Sequence, residues 1–295
     1  MLDLNSSRWS ELRHAYGPAH DVPDLLRALA AESDPRYSDD ISQARENPTP
    51  WEQVHSKLCH QSSLYSATFA ALPHIVDIAE KDGLGKQKET LLLVGEIEVN
   101  GTVDDEIPKD LLPDFQSALI RVRGWSLSVV RKTEVTDRFT LPYLLQSFGG
   151  LRYPRSFHVQ CLERLTGGDA EIEIDSCPRC DEYILVSIGE KRLTTVAVDA
   201  RGHVIEQSAK HTIPDRTSYA ERLVTGKEQL DASEDPLWSE QETPNVLAAL
   251  AMERNDVALA TRILDLDSMI VCPHCGLSFE IREGFIEENL DFPDS

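Results

Sequence analysis

The chain has 295 residues, and its 29 Lys and Arg stand against 51 Asp and Glu for a formal charge of −22 at pH 7. Such acidity repels nucleic-acid phosphates and anionic lipid, which argues against binding either and favours a basic protein partner. Its 41% hydrophobic content is ordinary for a chain that buries a core, and its longest apolar run, residues 246–252, falls far short of the roughly 20 residues of a membrane span.

The N-terminal MLDLNSSRW carries Asp3 and no apolar stretch, so no export signal is expected and the location expected is cytoplasmic. In that compartment the six cysteines are reduced, metal-bound or catalytic, not disulfide staples. Trp9, Leu12 and Tyr16 follow helical spacing, and Gly17-Pro18 would end this first helix. Thr49-Pro50-Trp51-Glu52 is a strong helix start: Thr49 caps, Pro50 suits the first turn, and Glu52 completes a capping box. Trp51, Val54, His55 and Leu58 then share one helical face.

An apolar-Pro-x-apolar-apolar pattern occurs at Val22-Pro23-Asp24-Leu25-Leu26, Leu72-Pro73-His74-Ile75-Val76 and Leu141-Pro142-Tyr143-Leu144-Leu145, with a partial copy at Leu112-Pro113-Asp114-Phe115. Proline there begins or kinks a helix, which suggests stacked helical hairpins bent alike. The pattern resembles the core of HEAT-like helical repeats. The stretches HAYGPAHDVP (residues 14–23) and LCHQSSLYSA (residues 58–67) are similar to a poorly characterised group of bacterial HEAT-like proteins with a paired CPxC zinc-knuckle region. The resemblance spans residues 8–80 and the cysteine region, and it implies an irregular α-solenoid without implying an activity.

Residues 110–123 and 153–165 also show helical spacing, Gly149-Gly150 and Thr166-Gly167-Gly168 punctuate as stops, and residues 101–106 read as an acidic loop. The texture changes after residue 168. Glu171-Ile172-Glu173-Ile174 alternates as a half-buried strand, residues 183–188 and 193–198 are aliphatic and β-branched, and Val204-Ile205 makes a third short strand after a turn. Residues 214–242 read as loop plus a short helix. Thr243-Pro244 starts a helical hairpin that turns at Arg254-Asn255-Asp256. The fold expected is therefore mainly α: a HEAT-like helical domain over 1–168, then a small antiparallel β, zinc-ribbon-like module over 169–295 with an inserted helical hairpin.

The strongest chemical signal is the pair Cys177-Pro178-Arg179-Cys180 and Cys272-Pro273-His274-Cys275. Two such hooks supply four thiolates for a tetrahedral Zn²⁺ with Zn–S near 2.3 Å. With all four positions filled by protein, the metal would be structural. Cys-Pro-His-Cys also matches a thiol oxidoreductase site, but a turn and strand follow it and no βαβ unit surrounds it. Cys59 and Cys161 stand alone, and sharing a helical face with His55 makes Cys59 a small core residue rather than a nucleophile. His60, Gln61 and Tyr65, near a helix end, form a candidate polar recognition patch. Glu283, Glu287, Glu288 and Asp291 form an acidic tail that is a second candidate for partner binding.

No phosphate loop, GxSxG, HExxH or dinucleotide fingerprint is present. Residues 1–150 carry 15 bases and 23 acids, and residues 151–295 carry 14 and 28, so the acidity concentrates in the second half. A helical scaffold, an acidic surface and no catalytic motif point to a protein-binding module. Its most concrete form is an immunity or inhibitor protein that neutralises a cognate toxin, with a basic toxin domain drawn in electrostatically. A scaffold or regulatory adaptor without a toxin is the alternative, and a thiol-redox or unfamiliar enzyme the third.

Overall fold

In the computed structural model, which describes residues 1–32, 48–103, 107–166, 170–174, 176–189, 192–198, 204–212, 239 and 241–285, helices dominate and the β-sheets are small and largely antiparallel. The chain forms two compact units, residues 1–134 with 150–152, and residues 135–149 with 153–295. Among the described residues, no helix is long and apolar enough to cross a membrane.

The first unit is built on one helix. α1 (Val22–Ala31) opens with Pro23 in its first turn and buries Val22, Pro23, Leu26 and Leu29. α2 (Pro50–Leu58) has the expected capping box: Glu52 N–H donates to Thr49 Oγ1 at 3.2 Å, and Thr49 N–H donates to Glu52 Oε2 at 2.7 Å. Its inner face is Trp51, Val54 and Leu58. α3 (Ser66–Asp82) buries 12 of its 17 residues, which makes it the centre of the unit. Ala67, Ala70, Ala71 and Ala79 keep it slim, and it packs against α1, α2, α4 (Leu84–Asn100) and α5 (Leu112–Lys132). The Phe69 and Phe115 rings meet at 4.8 Å between α3 and α5. Gly83 alone joins α3 to α4, and its φ of 93° is the reason for glycine there. Truncating Leu72 or Ile75, each 1% exposed, would cost about 2–5 kcal/mol.

Four expectations change in this unit. Trp9, Leu12 and Tyr16 do not form a helix. A single 3-10 turn, Ser7–Ser10, leads into a hairpin of β1 (Arg13–His14) and β2 (Gly17–Pro18). Trp9 and Leu12 are buried but Tyr16 is 59% exposed, so the spacing marks two anchors and a turn residue, not one face. Cys59 leaves the helix, because α2 ends at Leu58 and Cys59–His60 is strand β3. It pairs with β4 (Ser63–Leu64), and β5 (Thr102–Val103) joins β4 in parallel, so the start of the acidic loop is structured. The three proline motifs of this unit also hold different helical positions: Pro23 and Pro113 lie in first turns, and Pro73 is inside α3.

The second unit begins earlier than residue 168. α6 (Thr140–Gly150) ends at the second of the two glycines expected to stop it. A Cβ on Gly149 would lie 2.7 Å from Val159 Cγ2 and 3.5 Å from Leu247 Cδ2, so this glycine lets the helix approach its neighbours. α7 (Phe157–Cys161) passes into a 3-10 turn, Leu162–Thr166. Then four antiparallel strands follow in sequence order, β6 (Ala170–Ile174), β7 (Ile184–Ile188), β8 (Arg192–Val198) and β9 (Val204–Thr212). Ala170, Ile172 and Ile174 face the core while Glu171 and Glu173 face solvent, as the alternation predicts. The strand at Val204 is nine residues long, well beyond the expected dipeptide. Most of residues 214–242 lie outside the described residues. α8 (Thr243–Glu253) and α9 (Val257–Asp265) form the expected hairpin, with Asn255 at φ 62° in the turn and Asp256 accepting from Leu259 N–H at 2.9 Å. β10 (Met269–Val271) pairs with β11 (Ser278–Glu280) to close the described chain, followed by one 3-10 turn.

Candidate metal centre

Each CPxC motif sits at the tip of a β-hairpin. Residues 177–180 connect β6 to β7, and residues 272–275 connect β10 to β11. The two knuckles share one backbone pattern. Cys177 N–H donates to Glu182 O at 2.9 Å and Asp181 N–H to Cys177 O at 3.0 Å; Cys272 N–H donates to Leu277 O at 2.8 Å and Gly276 N–H to Cys272 O at 3.0 Å. The residue after each second cysteine is left-handed, with Asp181 at φ 54° and Gly276 at φ 71°. That reversal turns the next backbone N–H groups toward sulfur: Glu182 N–H donates to Cys180, and Leu277 N–H to Cys275.

All four Sγ atoms lie within 4.8 Å of one another, the one group of metal-ligating side chains of this kind among the described residues. Cys177 Sγ is 3.6 Å from Cys275 Sγ, and Cys180 Sγ is 3.7 Å from Cys272 Sγ, so each pair bridges the knuckles. A disulfide needs about 2.05 Å. A tetrahedron of Zn–S bonds near 2.3 Å has edges of about 3.8 Å, and the observed spacing fits it. Cys177 and Cys272 are buried, while Cys180 and Cys275 are half-buried. Donation from Leu277 N–H brings the Cys275 thiol down to about 7, whereas burial pushes Cys272 up. Four thiols this close ionise together only if a cation neutralises them.

The support around the knuckles is close-packed. Thr195 Oγ1, on β8 and fully buried, donates to Val271 O at 3.1 Å, one residue before Cys272. A Cβ on Gly284 would lie 2.3 Å from Ile174 Cγ2 and 2.8 Å from Ser176 O, so glycine is required where the end of the second hairpin crosses the first.

The remaining sequence-derived candidates divide. His60 and Gln61 fall in the β3–β4 hairpin, Gln61 at its exposed turn. Tyr65 only heads α3, its N–H donating to Thr68 Oγ1 at 3.2 Å. The aromatic residue against His60 is Tyr16, whose hydroxyl bonds Ser56 Oγ at 2.7 Å and His60 Nδ1 at 3.2 Å. Sequence reasoning missed that pairing, although both residues lie in the two stretches that carried the resemblance. Glu283 is exposed, with its carboxylate accepting from Glu280 N–H at 3.2 Å. Glu287, Glu288 and Asp291 lie outside the described residues.

Cys59 is 2% exposed, and burial together with the nearby Glu96 carboxylate pushes its thiol far above the usual range. Cys161 is fully buried and pushed up to about 12 by burial. Neither is poised as a thiolate nucleophile. Glu96 is a hub that sequence spacing could not show: it accepts from His55 Nε2 at 2.9 Å, from the Cys59 thiol and from Ser62 N–H. Burial would raise its pKa, but these donors hold it below the usual carboxylate value. No family model, curated protein or solved structure matches the chain.

Proposed function

We propose that Cys177, Cys180, Cys272 and Cys275 hold one structural Zn²⁺ and that the chain is a protein-binding module. The carrying observation is the sulfur geometry: four thiols from two matched knuckles, with no fifth ligand in the group among the described residues and a spacing that suits a closed tetrahedron. When bound, the ion neutralises the thiolates and clips two hairpins together. A closed shell leaves no place for substrate, so the metal serves the scaffold. Purified without chelator, the protein should carry one zinc per chain; fewer than about 0.5 would sink this assignment.

The partner we infer is a basic protein, most concretely a toxin domain that this chain neutralises. The charge of −22 supports electrostatic capture, and the buried, raised thiols at Cys59 and Cys161 speak against catalysis at either cysteine. Co-expression with the product of the adjacent gene tests the toxin reading. If that product is harmless, or if this protein does not rescue growth, the toxin reading fails. The broader reading then stands as an adaptor, tested by pull-down of a basic partner in rising salt.

A further inference from the structure

We infer that the first unit has a binding site for a small organic anion, in a concavity of about 500 Å³ lined by Arg8, Leu12, Arg13, Ile107, Lys109 and Asp110, together with Glu11, Ser66 and Pro108. That volume is in the range of small-molecule sites, about 300–1,000 Å³. The proposal is independent of the metal centre and of the protein partner.

The argument starts from charge. With 51 acids for 29 bases, most cations here can find a carboxylate. Lys57 reaches Asp21 at 3.0 Å, Lys88 reaches Glu89 at 3.2 Å, and Arg121 reaches Asp77 at 2.7 Å. Arg13 and Lys109 are among the cations whose side chains make no hydrogen bond or ion pair with a described residue, and both line the same concavity. The acids in its wall are partly spent. Arg8 grips Asp110 with both guanidinium nitrogens, one at 2.7 Å, and that hydrogen bonding holds Asp110 below the usual carboxylate range. Glu11 is the one lining acid without such a grip on a cation.

The backbone positions the cations. Arg13 N–H donates to Ser66 Oγ at 2.9 Å, which fixes the start of β1 against the head of α3. Residues 107–110 approach from the segment before α5, tied to Arg8 through Asp110. Leu12 is buried, and Ile107 is 37% exposed. An apolar body would cover Ile107 and Pro108 while its anionic head, a carboxylate or phosphate, meets the Arg13 fork and the Lys109 ammonium.

Phenyl phosphate and benzoate are the probes, with benzyl alcohol as the uncharged control, followed by NMR shifts in the full zinc-loaded chain at low salt. Saturable binding of an anion with Kd on the order of 1 mM is expected, together with no binding of benzyl alcohol. The double variant Arg13→Gln, Lys109→Gln should bind about tenfold more weakly. Both side chains are exposed, so its thermal unfolding should match the parent. Glu11→Gln should bind two- to threefold more tightly, roughly the effect of one exposed like charge removed. No saturable shift up to about 20 mM, a double variant within about threefold of the parent, or benzyl alcohol binding as well as the anions would each overturn the site.

Discussion

The turn at Gln61-Ser62 in the first unit and the cysteine knuckles in the second both hold the backbone at positive φ, and they are locked by different means. Gln61 and Ser62 sit at φ 52° and 60°, Asp181 and Gly276 at 54° and 71°. In the first unit the lock is made of protein alone. Glu96 takes Ser62 N–H, and Thr102 N–H donates to Ser62 O at 2.9 Å. In the second unit the backbone bonds shape each knuckle singly; the four sulfurs bring the two tips together, and below them Ser176 N–H donates to Gly284 O at 3.4 Å. A turn locked by its own side chains survives any ligand. If the thiolates of the knuckles hold a cation, as proposed, removing it should disturb the second unit and leave the first unchanged.

The largest expected effect follows from that difference. Chelation with EDTA under reducing conditions, or Cys272→Ser, should unfold the β6–β11 region while leaving the first unit intact. Structural zinc contributes roughly 10 kcal/mol of binding free energy in small metal-folded domains, more than a typical unit has to spare. Limited proteolysis should then release a resistant fragment near residues 1–134. A chain that unfolds as one transition with and without metal would break the comparison.

The converse perturbation is smaller. Glu96→Ala leaves His55 Nε2, the Cys59 thiol and Ser62 N–H without their acceptor, at a cost of about 2 kcal/mol. It should lower the melting transition of the first unit and leave the zinc content unchanged. The same group has a pH signature. Its folded pKa is depressed, so its stabilisation is present above the unfolded value near 4.5 and is lost as pH falls through the lower folded value. His14, whose pKa is lowered first by burial and then by Lys57, works in the same direction: its contribution is full above 6.5 and is lost as pH falls. Acid should therefore weaken the first unit from both groups.

Two residues on from that hub, Glu98 acts in reverse. Burial raises its pKa to about 7, and Arg123 only partly offsets this. An acid with a raised folded pKa is harmless below 4.5, where both states are protonated. It destabilises increasingly as pH rises to 7, because the unfolded chain ionises first. Glu98→Gln should stabilise the protein by roughly 2 kcal/mol at pH 8 and by nothing measurable at pH 4. Equal stabilisation at both values would mean that packing, not titration, is responsible.

These contrasts also explain what was readable beforehand. The α2 start at Thr49-Pro50-Trp51-Glu52, the alternation of β6 and the two CPxC hooks are local patterns, and each produced the element its spacing implies. The first-unit lock is not local. Glu96 comes from the last third of α4 and Thr102 from β5, so no spacing around Cys59 could reveal either. Trp9, Leu12 and Tyr16 misled because two buried anchors and an exposed turn tyrosine mimic a helical face. Residues 135–149 belong to the second unit, where Gly149 packs on Val159 and on Leu247, which is nearly 100 residues away in the chain.

The smallest effect sharpens the comparison inside the second unit. Asp181 and Gly276 occupy the same place in matched knuckles, one with a side chain and one without. Nothing lies within 4 Å of a Cβ added at Gly276, so Gly276→Ala tests backbone conformation alone. It should cost about 1 kcal/mol, the penalty for an L-residue in left-handed backbone. Asp181→Gly relieves the same strain but adds glycine's unfolded-state entropy, and should gain only a few tenths of a kcal/mol. If the ion forces both turns, the two substitutions should shift the zinc dissociation constant in opposite directions, with Gly276→Ala weaker by about fivefold. If both leave the zinc affinity untouched and shift the stability of the metal-free and metal-bound protein alike, the knuckles are preformed by their backbone bonds and the metal merely joins them.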